Sequence, residues 1–194
     1  MRPSVIRSFR PLLLLAATTA FLGVTTVNAA PVVYTCLLGP EAVGATGSGF
    51  AVVTIDAVAH TMHIHAEFSG LSGTTTASHI HGPTAVAGTG NAGVMTTTPS
   101  FVGFPLGVTA GIFDNTLDMT LASSYNPSFL NNATNLGSTA TAEASLFQAI
   151  ASNKAYLNIH SSTFPGGEIR GYPILGGPTP AAATSWGRIK QLYR

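Results

Sequence analysis

The chain of 194 residues contains one cysteine, Cys36. A disulfide within the chain needs two thiols, so internal cross-linking is excluded and a hydrophobic core must hold the fold together. The length is typical of one domain with a core of its own. Cys36 is left either as a free thiol or as a partner for a cysteine of a second chain.

Charge is also scarce, since 8% of the residues are charged. Of the eight Lys and Arg residues, three lie among the first ten positions and three among the last ten. The long segment between them has two cations, Lys154 and Arg170, and all seven acidic residues. Binding to nucleic acid needs clustered cations that neutralise phosphates. The composition therefore argues against nucleic acid as a partner.

Long apolar runs are confined to the beginning of the chain. Three arginines within the first ten positions precede the apolar run 11–24, and residues 27–29 are small enough for a signal peptidase. This pattern predicts a signal peptide over residues 1–30 and export to the periplasm or beyond the cell. Without it, five Lys and Arg remain against seven Asp and Glu, a formal charge of −2. No later stretch approaches the ~20 apolar residues of a transmembrane helix.

The sequence between residues 31 and 173 is rich in Thr, Val, Ala, Gly and Ser, with short apolar stretches ended by Gly, Pro, Asn or Asp. Such a pattern favours an all-β domain. The clearest element is a hairpin, with strands at 49–55 and 61–68 and a turn at 56–60. Its second strand alternates between an apolar set (Met62, Ile64, Ala66, Phe68) and a polar set (Thr61, His63, His65, Glu67).

Further strands are predicted at 108–112, 116–121, 156–160 and 170–174. A short helix is predicted at 142–152, where Leu146, Phe147 and Ile150 form an apolar stripe, with Thr141 and Glu143 suited to its start. Strands separated by Gly and Pro turns, with one inserted helix, predict a β-sandwich.

The composition changes near residue 176, so the domain is predicted to span residues 31–175. Residues 176–184 are rich in Gly, Pro and Ala, which is typical of a linker. Residues 185–194 form a short basic segment with Trp186 and Ile189 on its apolar side. A helix of this length needs a membrane surface, an export machine or a partner groove for support. The alternative is a frayed, exposed tail.

Histidines are the candidate functional residues. Side chains two apart in a strand point the same way, so His79 and His81 share one face while Ile80 takes the other. His160 ends a second strand. If the two strands are neighbours, three imidazole nitrogens converge, and copper and zinc prefer such ligands. The same three residues also fit a structural reading, in which they bind loop backbone through hydrogen bonds.

Four further residues carry weaker signals. His63 and His65 form a second His-x-His beside Glu67, which fits either a separate metal site or an ordinary solvent-facing strand. Glu168 and Arg170 alternate on one strand face beside the histidines and fit an ion pair with each other or with a neighbour. A structural role is favoured for Glu168. No nucleophile with a base and no pair of carboxylates stands out, so no catalytic residue is assigned.

Two segments resemble the CHRD domain, which is named after chordin. The first is 79–83, followed by a Gly-rich loop, and the second is 156–161, followed by 164–171. The resemblance covers residues 33–174. Chordin is an extracellular antagonist of bone morphogenetic proteins, and similar single domains occur in exported bacterial proteins. The resemblance therefore implies a module that meets a protein or matrix component outside the cytoplasm.

The histidines are also similar, more distantly, to the copper site of copper/zinc superoxide dismutase. That resemblance implies a Greek-key β-sandwich of the superoxide-dismutase-like or immunoglobulin-like kind, here with one short inserted helix. It implies His79, His81 and His160 as copper ligands, and Arg170 as the counterpart of the arginine that guides the substrate. The chain has no counterpart of the enzyme's bridging histidine, zinc ligands or disulfide.

Two functions stay open at this point. One is an extracytoplasmic binding or matrix module without catalysis. The other is a copper-binding or superoxide-dismutase-like redox protein that uses His79, His81 and His160. We favour the first as the class of protein, with a bound copper or zinc ion as its most testable property.

Overall fold

The computed structural model describes residues 30–176. Three predicted segments lie outside this range apart from their boundary residues Ala30 and Gly176. They are the signal peptide (1–30), the linker (176–184) and the basic tail (185–194). Within residues 30–176, no helix is long and apolar enough to cross a membrane.

The domain is built from eight antiparallel strands. They are β1 (Val32–Pro40), β2 (Ser48–Asp56), β3 (Thr61–Ser69), β4 (Thr75–His81), β5 (Gly111–Asp118), β6 (Tyr156–Ser161), β7 (Ile169–Gly171) and β8 (Ile174–Leu175). The helical elements are a 3-10 turn (Ala122–Ser124), α1 (Pro127–Leu130) and α2 (Thr139–Ala151).

The sheet has the order β4-β6-β7-β1-β2-β3-β5 and curls about β1. One edge of β1 pairs with β2, and its other edge pairs first with β8 and then with β7. The apolar faces of both halves of the sheet contribute to one buried core, including Val53 and Ile64 from one half and Ile80 and Ile159 from the other. The predicted all-β, sandwich-like fold is confirmed.

The hairpin of β2 and β3 is confirmed with its predicted faces. The apolar set of β3 is buried, whereas His63, His65 and Glu67 lie on the outer face. The Asp56 carboxylate stabilises the start of the turn by accepting hydrogen bonds from the amides of Val58 and Ala59, at 3.0 and 2.8 Å.

The segment after β4 covers the free edge of that strand. The Met95 amide donates to the Ile80 carbonyl at 2.9 Å, and the Phe101 amide donates to the Ser78 carbonyl at 3.1 Å. Loop backbone therefore lies close to the side chains of β4. This arrangement buries His79 and His81, which point away from the core.

Some predicted boundaries were wrong. Residues 108–112 and 116–121 are not two strands, because β5 runs continuously across the gap between them while Val108 bonds to Thr75 of β4. The predicted strand 170–174 is split into β7 and β8, since Pro173 has no amide hydrogen to donate to a ladder.

The helix boundaries also differ from the prediction. Helix α2 starts at Thr139, three residues before the predicted 142, and Ser138 is its N-cap. The one-turn helix α1 was not predicted from the sequence. There the Asn126 side chain accepts a hydrogen bond from the Ser128 amide at 2.8 Å, and Pro127 takes the first helical position.

Candidate metal centre

The pairing of β4 with β6 brings three histidines together. In the ladder, Ala77 is opposite His160 and His79 is opposite Asn158, so the three imidazoles project from one face of the pair. One nitrogen from each of His79, His81 and His160 lies within 4.8 Å of the other two. The convergence inferred from sequence spacing is therefore present in the fold.

Each imidazole is held by a backbone carbonyl of a different residue. His79 Nε2 lies 2.6 Å from the Pro99 carbonyl, His81 Nδ1 lies 3.0 Å from that of Ala92, and His160 Nδ1 lies 2.9 Å from that of Pro165. A carbonyl oxygen accepts hydrogen bonds and cannot donate them, so each of these nitrogens carries the hydrogen.

The hydrogen positions leave lone pairs on the opposite nitrogens of neutral rings. These are Nδ1 of His79 and Nε2 of both His81 and His160. Of these, His79 Nδ1 and His160 Nε2 are 3.3 Å apart. His81 Nε2 is buried and has no hydrogen-bond partner within residues 30–176. A hydrogen bond between His79 Nδ1 and His160 Nε2 would leave His81 Nε2 without a partner. A cation placed among the rings would contact all three nitrogens.

The environment favours neutral imidazoles. Burial lowers the pKa of His79 to about 4, against the opposing effect of the Pro99 carbonyl. Burial also lowers the pKa of His81, and the charges of His160 and Arg170 add to that shift. A histidine must be deprotonated to bind a metal, so both side chains are ready ligands at neutral pH.

The ring of Tyr156 lies flat against His81, with centroids 4.9 Å apart and an interplanar angle of 6°. The Arg170 guanidinium lies 5.0 Å from the centroid of the same tyrosine ring. His160 is half-buried, unlike its two neighbours. The cluster is therefore packed on the Tyr156 side and more open on the side of His160.

His63 and His65 lie on the other half of the sheet, away from this cluster. The Asp114 carboxylate contacts both, at 3.1 Å from His63 Nε2 and 2.7 Å from His65 Nδ1. The other nitrogen of His65 lies 3.0 Å from Glu67. These hydrogen bonds raise the pKa of His65, Asp114 contributing the most. Carboxylates at both ring nitrogens favour the doubly protonated imidazole, whereas a metal ligand needs one ring nitrogen without a hydrogen.

Glu168 and Arg170 do not pair with each other. Glu168 is buried and accepts hydrogen bonds from the amides of Ser72 and Gly73. Burial alone would raise its pKa, but hydrogen bonds from Ser161 and from these residues outweigh it and hold the pKa below its usual value. Glu168 thus anchors the loop between β3 and β4.

Arg170 forms an ion pair with Glu41, with Nη1 3.2 Å from Oε1. Glu41, Tyr156 and Asn158 are functional neighbours of the cluster that were not predicted from the sequence. The Asn158 amide donates to Glu41 Oε2, and Asn158 Oδ1 is buried without a partner in the described range. Tyr156 and Asn158 share a strand face with His160, so the period of two offered a signal for both. Glu41 offered none, because it lies far away in sequence.

Comparison with known proteins gives one finding. The family model of the CHRD domain matches residues 26–172, which is most of the chain and includes all three histidines. No curated protein and no solved structure matches the chain.

Proposed function

The chain belongs to the CHRD domain family, and we propose that within it this protein is an extracytoplasmic module that binds one copper or zinc ion through His79, His81 and His160. One observation carries the proposal: three imidazole nitrogens with lone pairs converge while the opposite nitrogen of each ring is held by a carbonyl. Hydrogen bonds of this kind orient histidine ligands in metal sites and select the nitrogen that binds.

The donor separations suit an ion of this size. Zinc–nitrogen bonds of about 2.0–2.1 Å in a tetrahedral site place the donor atoms roughly 3.3 Å apart. His79 Nδ1 and His160 Nε2 are 3.3 Å apart, and the full set lies within 4.8 Å. A small inward movement of His81 would complete the set. Three imidazoles without a carboxylate suit copper or zinc better than magnesium or calcium.

Three protein ligands leave a coordination position for a water molecule or an exchangeable ligand. Such a position is compatible with storage and transfer of the ion and with redox chemistry. Arg170 supports the binding function over a dismutase, because its Nη1 is engaged by Glu41, Gly90 and Asn91. The guanidinium therefore has strong local partners, which is a poor arrangement for guiding an anion to the metal.

The basic and apolar character of residues 1–30 supports export, and so does the family. An exported domain meets metal ions outside the reducing cytoplasm. We propose that its partner there is a protein or matrix component.

The test is metal content after equilibrium dialysis of the purified protein against Cu²⁺ or Zn²⁺. The six histidines of the sequence provide matched sets of variants. We expect about one ion per chain in the wild type, and loss of that ion in each alanine variant of the cluster: His79→Ala, His81→Ala and His160→Ala. The controls, which should keep the ion, are His60→Ala, His63→Ala and His65→Ala.

Circular dichroism on each variant separates loss of a ligand from loss of the fold. If the folded wild type retains no metal, or if both sets of variants bind equally, the proposal is wrong. The three histidines would then be structural, and the protein would be a binding module without a metal.

A further inference from the structure

The backbone at residues 90–92 forms one side of the histidine cluster. The carbonyl of Ala92 holds His81 Nδ1 at 3.0 Å, and the amide of Ala92 donates to the Tyr156 hydroxyl at 3.3 Å. This segment ends a loop rich in Gly and Ala, and such a loop has few side chains of its own for packing. Its position therefore depends on contacts that other parts of the chain make with it.

Arg170 supplies several of those contacts. Its Nη1 donates to the Gly90 carbonyl at 3.2 Å and to Asn91 Oδ1 at 2.8 Å. The neighbouring Tyr172 hydroxyl donates to the same Gly90 carbonyl at 2.9 Å. The guanidinium also lies over Tyr156, whose ring stacks on His81. Arg170 thus contacts both the loop and the aromatic ring between which His81 is held.

Arg170 is itself fixed from the opposite side. Arg170 Nη1 lies 3.2 Å from Glu41 Oε1 in an ion pair. The side-chain amide of Asn158 donates a hydrogen bond to the other oxygen of the same carboxylate. Gly167 makes room for this pair, since a Cβ atom at that position would collide with the Glu41 carboxylate. The guanidinium is therefore built into the fold and does not sample solvent freely.

We propose that Arg170 is a positioning residue of the cluster: by holding residues 90–92, it keeps the Ala92 carbonyl on His81 Nδ1 and leaves Nε2 of His81 for the ion. The part of this inference that concerns the ion rests on the function proposed above. The part that concerns the tautomer of His81 does not, because it can be measured in the metal-free protein.

The first measurement is the tautomer of His81 in ¹⁵N-labelled protein treated with a chelator. Long-range ¹H–¹⁵N correlation spectra distinguish a ring with hydrogen on Nδ1 from one with hydrogen on Nε2. We expect the Nδ1–H form in the wild type and a shift of population toward Nε2–H in Arg170→Leu. Glu143→Gln is the matched control, since it changes a carboxylate that contacts His60 Nδ1 at 3.0 Å, outside the cluster.

Two milder variants keep the test decisive if Arg170→Leu fails to fold. Arg170→Lys keeps the charge but cannot donate as a planar fork or cover Tyr156 in the same way, and Asn91→Ala removes one contact. Both should shift the tautomer in the same direction as Arg170→Leu. An unchanged His81 tautomer in folded Arg170 variants would overturn the inference, because a purely structural arginine would leave the ring as it is.

The second measurement is the affinity for Cu²⁺ alone, by competition with a chromophoric chelator. Loss of residues that orient metal ligands typically weakens affinity about 10–100-fold. We expect a loss in that range for Arg170→Lys, with a changed electron paramagnetic resonance spectrum, and no loss for Glu143→Gln.

If the wild type binds no copper, the proposed function fails, and the tautomer experiment still decides whether Arg170 positions His81. If copper affinity is unchanged while the tautomer shifts, the ion-binding part of the inference is wrong.

Discussion

At the scale of single residues, burial decides the chemistry of Cys36. The side chain is 3% exposed, and burial raises the pKa of its thiol to about 12 despite a backbone hydrogen bond from Ala51. The thiolate, which is the reactive form, is then almost absent at neutral pH. The structure therefore argues against the disulfide between chains that the sequence had left open.

We predict that a chromogenic disulfide reagent at pH 8 will not label Cys36 in the folded protein within the time needed to label it fully in guanidinium chloride. The unfolded sample is the control for reagent and thiol. Rapid labelling of the native protein, at a rate close to that of the unfolded chain, would show that the thiol is exposed.

Glu168 gives a prediction about stability. In Glu168→Gln, a neutral amide would replace a carboxylate that accepts hydrogen bonds from two backbone amides and from Ser161. Hydrogen bonds to a charged group contribute about 1.5–3 kcal/mol each, so we expect a loss of about 2 kcal/mol in the free energy of unfolding at pH 7. Urea unfolding measures it, with the exposed Glu67→Gln as the control.

The effect of Glu168→Gln should depend on pH in a defined direction. The pKa of Glu168 is lower in the folded chain than its ordinary value of 4.5. The ionised carboxylate therefore stabilises the fold above that value, and the contribution is lost as pH falls through the lower, folded-state pKa. The difference between wild type and variant should shrink below pH 4.5. A difference that stays constant down to pH 3 would contradict the assignment.

The three candidate ligands could be predicted from the sequence because alternation within a strand is a local pattern. It could not identify the carbonyl of Ala92 or Pro99 as an anchor, because every residue has a carbonyl and loop geometry decides which ones face a ring. The pairing of Arg170 with Glu41 also has no local signature, since 129 positions separate the two residues.

Among the elements, β4 has one face that packs into the core and one face that carries two of the candidate ligands. Ile80 lies in the core with no exposed surface, whereas His79 and His81 project from the opposite face. A core substitution at Ile80 therefore removes packing without touching a nitrogen of the cluster.

We predict that Ile80→Val lowers the free energy of unfolding by about 1 kcal/mol and leaves the affinity for Cu²⁺ unchanged. Urea unfolding and chelator competition measure the two quantities. Ile112→Val is the matched control, because Ile112 is 64% exposed and its loss of a methylene should change stability by less than about 0.5 kcal/mol. A large loss of copper affinity in Ile80→Val would mean that the two faces of β4 are not independent.

Elements with a regular alternation of apolar and polar residues were predicted more accurately than elements without one. Strand β3 alternates apolar and polar residues over its whole length, so its faces were predicted, and its bounds to within one residue. In β5 the inward positions are Phe113, Asn115 and Leu117, and the half-buried asparagine interrupts the apolar alternation. The start of α2 was missed because the helix begins with a Thr and Ala stretch that has no apolar stripe.

At the scale of the whole molecule, an ion in the cluster would connect parts of the chain that are distant in sequence. The ligands come from β4 and β6, and their anchors come from three separate loop positions, at Ala92, Pro99 and Pro165. An ion that binds the folded chain and not the unfolded chain stabilises the fold by mass action.

We predict that thermal unfolding shifts upward with metal. At a free metal concentration of 100 Kd the stabilisation is about 2.7 kcal/mol. For a domain of this size that corresponds to a rise in Tm of roughly 5–10 °C. Differential scanning calorimetry with and without Zn²⁺ measures it. His81→Ala should lose the rise and His63→Ala should keep it, and a Tm that is independent of metal in the wild type would count against a buried site.

X-ray absorption of the copper-loaded protein examines the proposed three-imidazole site itself. At one Cu²⁺ per chain, we expect three imidazole nitrogens at about 2.0 Å from the metal, with the distant scattering of the rings, and the same spectrum in His63→Ala. A shell of oxygen ligands without the scattering of imidazole rings, or a spectrum that changes in His63→Ala, would rule the site out.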